Sequence, residues 1–392
     1  MINLELPEIL EQYKEYTHNM ANDIMRPISR KYDEEEHTYA KELDMFNFRL
    51  KPEERPGEPP KSPVEIPPEI GHMASVVSTE EWCWADLGLT TSMPTGGLGN
   101  SAIMAIGTPE QKAKFGPLWC AMALTEPESG SDAASISTEV REDGDEYVLN
   151  GEKIFVTDGD RCQAIVVWAT FDKKIGRPAM KSFIVEKGAP GLKLEKLEHK
   201  LGIRASDTAT FVLKDCRIPK ENILGSPEIV TKKGFGGVHA TFDAVRPKIA
   251  IQAVGIARAC LEVLKEEMEK NGFKLDYSKH PNKLSAMEKE YYEMEAELDA
   301  MRLHSWRACW MLDKGMRNSI ESSMSKGKCG KDGTIITHRV CELLGAMGFS
   351  RKHLLEKWMR DVKITNIYDG TQQIQSLIVA RQILSLKRDQ LK

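Results

Sequence analysis

The sequence predicts an α+β protein in which helical N-terminal and C-terminal domains flank a middle domain of antiparallel strands. Apolar residues recur at helical spacing up to about residue 115 and again from about residue 231. Between them, residues 118 to about 225 contain short runs of β-branched and aromatic residues. These changes of period predict domain boundaries at 1–117, 118–228 and 229–392.

The N-terminal segment predicts helices separated by one long loop. Periodic stretches cover residues 8–32 and 79–89. The intervening segment 47–70 is rich in proline, which has no backbone N–H to continue a helix. We therefore expect an extended surface loop at 47–70.

The middle segment contains five strand-like runs, with a turn signal between the first two. The runs are 147–149, 153–157, 165–169, 183–185 and 208–213. Asn150 and Gly151 form a dipeptide that is typical of two-residue hairpin turns, so the sequence predicts a hairpin there.

The C-terminal segment predicts further helices, which are 248–268, 284–310, 334–344, 354–361 and 374–386. Pro247 fits the first turn of the first of these helices, because its missing N–H is not needed there. Asp243 fits a capping position just before it.

The composition is that of a folded enzyme and excludes several other classes. Of the 392 residues, 41% are hydrophobic, which excludes a mainly disordered chain. The 54 basic and 59 acidic residues give a net charge of -5, without the basic excess of nucleic-acid binders. No apolar run approaches the roughly 20 residues of a membrane helix. The Glu-rich N-terminus lacks the order of a signal peptide. We expect a cytoplasmic protein with neither nucleic-acid nor membrane partners. The alternative is that the sequence is the mature form of a processed precursor.

The cysteines predict thiols and no metal site. There are eight, no two of them are spaced as C-x-x-C, and the histidines do not cluster with them in the sequence.

Four motifs carry a resemblance to a known family. They are Ala123–Asp132 (ALTEPESGSD), Asn150–Thr157 (NGEKIFVT), Gly202–Thr208 (GIRASDT) with its continuation to Gly225, and Arg360–Thr371 (RDVKITNIYDGT). In this order and spacing the chain resembles the acyl-CoA dehydrogenases over nearly its whole length. The resemblance implies a C-terminal four-helix bundle, FAD as cofactor and an acyl-CoA substrate. It also implies removal of an α-proton and a β-hydride, and an electron-transferring flavoprotein as electron acceptor.

The same resemblance implies the residues of the site. Phe155 stands where the family often has Trp against the isoalloxazine, and Thr157, two residues along a strand, would share its face. Cofactor contacts are implied for Met122, Leu124, Thr125, Gly130, Ser131, Phe155, Thr157, Glu342, Gly345, Gly370, Thr371 and Gln373. Substrate contacts are implied for Ser131, Asp243 and Arg246.

Asp369 is the first departure from the family pattern. Most members have Glu as the catalytic base before Gly-Thr, and here Asp369 precedes Gly370. Its side chain is one methylene shorter, and proton transfer is sensitive to misplacement by roughly 1 Å. Val245 occupies the position where some relatives place an alternative base. Three interpretations follow: a base matched to a branched or cyclic acyl group, abstraction from another carbon of a cyclic substrate, or a slow or inactive subunit.

A second departure concerns assembly. Homotetrameric relatives hold each flavin partly with the neighbouring subunit's R-x-x-F-G segment and a Gln before Gly-Gly. Residues 269–276 lack the first, and Glu342 replaces the Gln. A carboxylate repels a pyrophosphate unless a cation intervenes. The chain is therefore either a homotetramer that holds FAD differently, for example through Lys270 or Lys274, or a subunit of a heteromer, with or without full catalytic activity of its own.

Overall fold

The computed structural model describes residues 5–229, 236–386 and 390. The helices are α1 Glu8–Met20, α2 Ser29–Glu34, α3 Gly71–Ala85, α4 Leu87–Thr91, α5 Leu98–Ile106, α6 Pro109–Phe115, α7 Gly236–Lys270, α8 Ala286–Asp313, α9 Ser319–Leu344, α10 Ala346–Phe349, α11 Leu355–Val362 and α12 Gln372–Ile383. The strands are β1 Cys120–Ala123, β2 Glu139–Asp143, β3 Glu146–Thr157, β4 Ala164–Thr170, β5 Met180–Glu186, β6 Leu192–Leu197 and β7 Thr208–Pro219. The predicted start of the last helical segment, at about 231, lies outside the described residues.

The N-terminal region is helical, as predicted, but its first helix is interrupted. A π-helical turn at Ala21–Met25 and a 3₁₀ turn at Arg26–Ile28 separate α1 from α2. Pro27 lies in the 3₁₀ turn, where its missing N–H ends the regular hydrogen-bond ladder. Residues 47–70 contain only short 3₁₀ turns and otherwise lack regular structure, as expected for a proline-rich loop.

The strands form one seven-stranded sheet in the order β1-β4-β2-β3-β7-β6, with β5 on β4. Most neighbours are antiparallel, but β1 and β2 each pair with β4 in parallel, which differs from a purely antiparallel sheet. The prediction of a hairpin turn at Asn150–Gly151 is wrong, because β3 continues through both residues. Gly151 is needed there because a Cβ would lie 2.4 Å from the Thr138 hydroxyl. The turn between β2 and β3 instead uses Gly144, whose φ is +61°.

Pro247 lies inside α7 and not at its start, so the predicted capping role of Asp243 is wrong. Proline cannot donate a hydrogen bond to the carbonyl four residues earlier, which is that of Asp243. Asn318 supplies the missing donor, because its Nδ2 lies 3.2 Å from the Asp243 carbonyl oxygen. Asn318 is buried, and this tertiary contact allows a helix that local rules would end.

Asn318→Leu should therefore destabilise the protein by about 1–3 kcal/mol, the usual cost of a buried polar group left without a partner. Chemical denaturation measures the change. The double variant Pro247→Ala/Asn318→Leu restores an N–H for the Asp243 carbonyl and should recover part of the loss. A change below about 0.5 kcal/mol in Asn318→Leu would contradict this role.

The helices of both ends share one hydrophobic core. Val76 of α3, Val254 of α7, Leu298 of α8 and Ile336 of α9 all belong to it. A second core lies within the sheet, around residues such as Phe183. Among the residues that the structure describes, no helix combines the length and apolar character needed to cross a bilayer. The boundaries 1–117, 118–228 and 229–392 stay a prediction.

Candidate active site

The turn that follows β1 is organised by a buried glutamate. Glu126 accepts hydrogen bonds from the backbone and side chains of Ser137 and Thr138, at 2.5–2.9 Å. Lys153 of β3 lies 2.7 Å from the same carboxylate, and both side chains are essentially inaccessible to water. The Lys153 ammonium also donates to the Leu124 carbonyl at 3.1 Å. The turn is therefore held against β3 by a buried ion pair.

Charge and hydrogen bonding keep Glu126 ionised. Burial alone would raise its pKa, but Lys153 and the hydroxyls of Ser137 and Thr138 outweigh burial and hold the pKa at about 2. Glu126 and Lys153 lie within two of the sequence motifs, but the sequence alone assigned neither of them a role. A lysine within a strand is the signal that would have found the pair, because an unpaired buried ammonium is costly.

The end of β3 carries Phe155 and Thr157 on an irregular backbone. The strand has a bulge between Lys153 and Val156, and Phe155 is left-handed with a φ of +58°. The backbone here is therefore not the regular strand that the sequence predicts. The exposure of the side chains alternates nevertheless: Phe155 is 59% exposed, Val156 is buried and Thr157 is half-buried. Ile154 N donates to the Thr125 carbonyl at 2.9 Å, which joins the strand end to the turn.

The predicted cofactor residues of the middle domain surround this junction. Met122 and Leu124 are half-buried and pack on the cluster of Ile136, Trp168 and Met180. Gly130 and Ser131 are exposed. Within the described residues, no hydrogen bond is recorded for the hydroxyls of Thr125, Ser131 and Thr157. An exposed aromatic ring beside hydroxyls that have no protein partner suits a flat, apolar ring system with a polar edge, such as an isoalloxazine.

A second group of residues surrounds Asp369, which lies between a 3₁₀ turn at Lys363–Asn366 and α12. Lys326 of α9 donates to the Gly370 carbonyl at 3.0 Å, and Gln375 of α12 donates to the same oxygen at 3.2 Å. Thr371 is the N-cap of α12, and its hydroxyl accepts from Ile374 N at 3.4 Å. Gln373, in the first turn of α12, is exposed.

Arg246 and Asp243 form an ion pair on α7 beside this group. Arg246 Nη1 lies 2.8 Å from Asp243 Oδ1, and Arg246 is only 6% exposed. Ser319 also donates to Asp243, at 2.5 Å. Burial raises the pKa of Asp369, while Lys326 and Arg246 act against that rise. Asp369 is thus a half-buried carboxylate with cations on α7 and α9.

A third group lies at the end of α9, where Gly345 has a φ of +54°. Glu342 is paired with Arg339, whose Nη1 lies 2.8 Å from Oε2, and with His338 at 3.4 Å. Arg339 also binds Glu290 of α8 through Nε at 2.6 Å. The sequence analysis identified no cation that could offset the negative charge of Glu342. Arg339, on the same helix, is such a cation. None of the hydrogen bonds and ion pairs of the described residues joins these three groups to one another.

The eight cysteines and one cluster of a glutamate with two histidines carry atoms that could ligate a metal. All eight cysteines are free and buried, as expected. Glu36, His37 and His199 offer ligand atoms within 4.8 Å of one another, but Arg204 already lies 3.2 Å from the Glu36 carboxylate. These residues form an ion-pair cluster in which Arg204 already supplies a positive charge beside Glu36.

The fold and the fit of these side chains indicate a flavoprotein oxidoreductase. Comparison with known proteins supports this class. A family model for the acyl-CoA dehydrogenase middle domain matches residues 121–216, and one for the acyl-CoA dehydrogenase C-terminal domain matches residues 232–384. The mouse mitochondrial short-chain specific acyl-CoA dehydrogenase is 33% identical over 396 residues, covering 97% of this chain and 92% of that protein. The chain belongs to the acyl-CoA dehydrogenase family, a family of FAD-dependent oxidoreductases that act on CH–CH groups.

Solved structures share this fold along the whole chain. Butyryl-CoA dehydrogenase from Megasphaera elsdenii is 26% identical with a TM-score of 0.82, covering 98% of this chain and all of that one. A glutaryl-coenzyme A dehydrogenase in complex with glutaryl-CoA is 25% identical with a TM-score of 0.83, covering 99% and 98%. A structure described as the electron transferring flavoprotein of Acidaminococcus fermentans is 28% identical with a TM-score of 0.81, covering 98% and 100%. The predicted fold class is thereby confirmed.

Proposed function

We propose that this chain oxidises an acyl-CoA thioester to its 2,3-enoyl form, with Asp369 as the base that removes the α-proton. FAD, when bound, supplies the hydride acceptor. The observation that carries the proposal is the position of Asp369: a half-buried carboxylate next to Gly370, with Lys326 and Arg246 as the nearby cations. Burial raises the pKa of such a carboxylate, which makes it a stronger base than a solvated one.

The remaining site residues fall into roles that the geometry supports. The turn at Thr125–Ser131 and the ring of Phe155 would hold the isoalloxazine, with the Thr157 hydroxyl at its polar edge. Gly370, Thr371 and Gln373 would contact the cofactor from the start of α12. Ser131, Asp243 and Arg246 would contact the acyl-CoA; because Arg246 is buried and paired, its contact would be the most restricted of the three.

The function is tested by loading the purified chain with FAD and adding a panel of acyl-CoA thioesters. Bleaching of the flavin by at least one of them, in the absence of oxygen, is the expected result. Reoxidation by an electron-transferring flavoprotein would identify that partner, which the fold shared with the Acidaminococcus structure supports. A chain that binds FAD yet is reduced by no acyl-CoA would favour the alternative, a subunit that is non-catalytic or partly catalytic within a heteromer. A cytoplasmic location stays a prediction.

The shorter base suggests a substrate that brings its proton closer. We propose a branched or ring-bearing acyl group, which could yield a 2,3-enoyl product or a diene; abstraction from another carbon of a cyclic substrate is the second possibility. Short-chain, butyryl and glutaryl-CoA dehydrogenases are relatives of this chain, so straight acyl chains belong in the comparison.

Asp369→Glu tests this match. It moves the carboxylate forward by about one methylene, and a misplacement of about 1 Å can change the rate roughly 10²-fold. Flavin reduction by the best branched or cyclic substrate should slow, while reduction by butyryl-CoA should slow less or become faster. Equal effects on both substrates would contradict the match.

Assembly can be approached through Glu342. We propose that Arg339 is the cation that makes this surface compatible with a neighbour's FAD, either in a homotetramer or beside a related subunit. Arg339→Gln should then weaken FAD retention, and more so at low salt, where screening is least. Glu342→Gln leaves Arg339 in place and should retain FAD as well as or better than the parent chain. FAD content after dialysis measures both, and equal retention in all three chains would contradict the role.

A further inference from the structure

The segment that carries Asp369 has an unusual backbone. Asp369 is left-handed with a φ of +52°, and Gly370 follows with a φ of +101°. A left-handed conformation is unfavourable for Asp, although less so than for larger residues. A Cβ at Gly370 would lie 2.3 Å from Gln375 Nε2, so glycine is required there. Such a segment persists only where its surroundings hold it.

Two side chains hold the segment from different helices. Gln375 Nε2 lies 3.2 Å from the Gly370 carbonyl and 3.5 Å from that of Asp369. Lys326 Nζ reaches the Gly370 carbonyl from α9 at 3.0 Å. The neighbouring Tyr368 is held separately, because its hydroxyl donates to Gln252 of α7. The carbonyl of Gly370 is therefore the point where α9 and α12 meet the segment.

Lys326 is an unusual residue to bury. Its side chain is fully buried, and among the described residues the Gly370 carbonyl is its one recorded hydrogen-bond acceptor. A neutral carbonyl compensates poorly for the lost hydration of an ammonium group. Burial lowers the pKa of Lys326 to about 8, and the negative charge of Asp369 is the main influence that keeps it from falling further. The counter-charge of Lys326 is thus the carboxylate of Asp369, without a direct hydrogen bond to it.

We propose that Lys326 is a positioning residue for the proposed base: its ammonium group fixes the Asp369–Gly370 segment and its charge favours the ionised form of Asp369. The inference rests on the proposed function and adds to it a residue on a different helix. It also gives a reason for a lysine at a position where an apolar side chain would pack without loss of hydration.

The charged groups around Asp369 give the sign of the effect. Lys326 faces it from α9 and Arg246 from α7, while the raised pKa of Tyr368 keeps that neighbour neutral. Cys83 of α3 lies on the Tyr368 side, and its raised pKa keeps it neutral also. Burial raises the pKa of Asp369, and the two cations counteract this. Removing Lys326 therefore raises the pKa of Asp369, so the base becomes ionised only at higher pH.

The experiment measures substrate-dependent flavin reduction in single turnovers across pH, with the FAD-loaded enzyme. Lys326→Met removes both the charge and the hydrogen bond, and Lys326→Gln keeps a donor without the charge. Both should move the rising limb of the pH profile upward by about one unit or more, equivalent to about tenfold slower reduction on that limb. Lys326→Arg keeps the charge and should keep the limb within a few tenths of a unit. Lys328→Met, on the same helix and paired with Asp332, should leave it unchanged.

A second measurement separates the two levels of the proposal. Infrared titration of the carboxyl C=O band, identified by its loss in Asp369→Asn, gives the pKa of Asp369 without turnover. An unchanged band pKa in folded Lys326→Met and Lys326→Gln would overturn the inference about Lys326. Near-normal turnover in Asp369→Asn would instead remove the base assignment, and with it the need for a positioning residue. If Lys326→Met fails to fold, Lys326→Gln decides by the same two readouts.

Discussion

Asp369→Asn should abolish the reduction of bound FAD by acyl-CoA while FAD stays bound. The amide keeps the shape of the side chain but cannot accept the α-proton, and general-base contributions are on the order of 10²–10⁴-fold. Stopped-flow absorbance of the flavin measures the loss, and the protein-bound flavin spectrum verifies that the cofactor is retained. This is the largest effect that we expect from a single substitution at the site.

The control for this prediction is Asp145→Asn. Asp145 is exposed in the turn between β2 and β3, so the same chemical change there should leave flavin reduction within about twofold. If Asp369→Asn reduces its flavin at a rate close to that of the parent chain, the base lies elsewhere. Val245 is apolar and cannot take its place on α7.

Lys153→Met should cause the largest loss of stability. Methionine fills most of the volume but leaves Glu126 ionised and buried, with only the amide and hydroxyl donors of Ser137 and Thr138. Breaking a buried pair by removing one partner typically costs about 3–5 kcal/mol. Because the turn at 125–131 depends on the pair, we also expect weaker FAD retention. Urea denaturation and FAD content after gel filtration measure the two effects.

The pH dependence of this loss has a definite sign. The pKa of Glu126 is depressed to about 2 in the folded protein, so its ionisation stabilises the fold above the pKa of the unfolded chain, and that contribution fades as the pH falls towards 2. The deficit of Lys153→Met should therefore be larger at pH 7 than at pH 4. Lys193→Met is the matched control, because its pair with Glu195 is exposed and should contribute less than about 1 kcal/mol. A Lys153→Met variant as stable as this control would show that the buried pair is dispensable.

Much of this protein could be predicted because the relevant signals are local. Helical and strand periods indicated the order helix, sheet, helix, because burial of one face of each element imposes its period on the sequence. The motifs around Thr125, Phe155 and Asp369 carried the resemblance to the family, which the two family models confirm.

Other features depend on partners that are distant in the sequence. Pro247 was expected at the start of a helix, but Asn318, 75 residues beyond Asp243, supplies the donor that lets α7 continue. Asn150 and Gly151 were expected in a turn, but both lie within β3, and glycine is required at 151 because Thr138 of a distant segment approaches it closely. Glu342 looked uncompensated because its cation, Arg339, had no motif to mark it.

By itself, then, the sequence determined the class of fold, the family and the identity of the carboxylate next to Gly370. Only the tertiary structure decided the environment of that carboxylate: a left-handed backbone, a carbonyl held by Lys326 and Gln375, and cations on two different helices. The physical reason is that periodicity and backbone propensity act between near neighbours, whereas desolvation and charge depend on whatever the fold brings close.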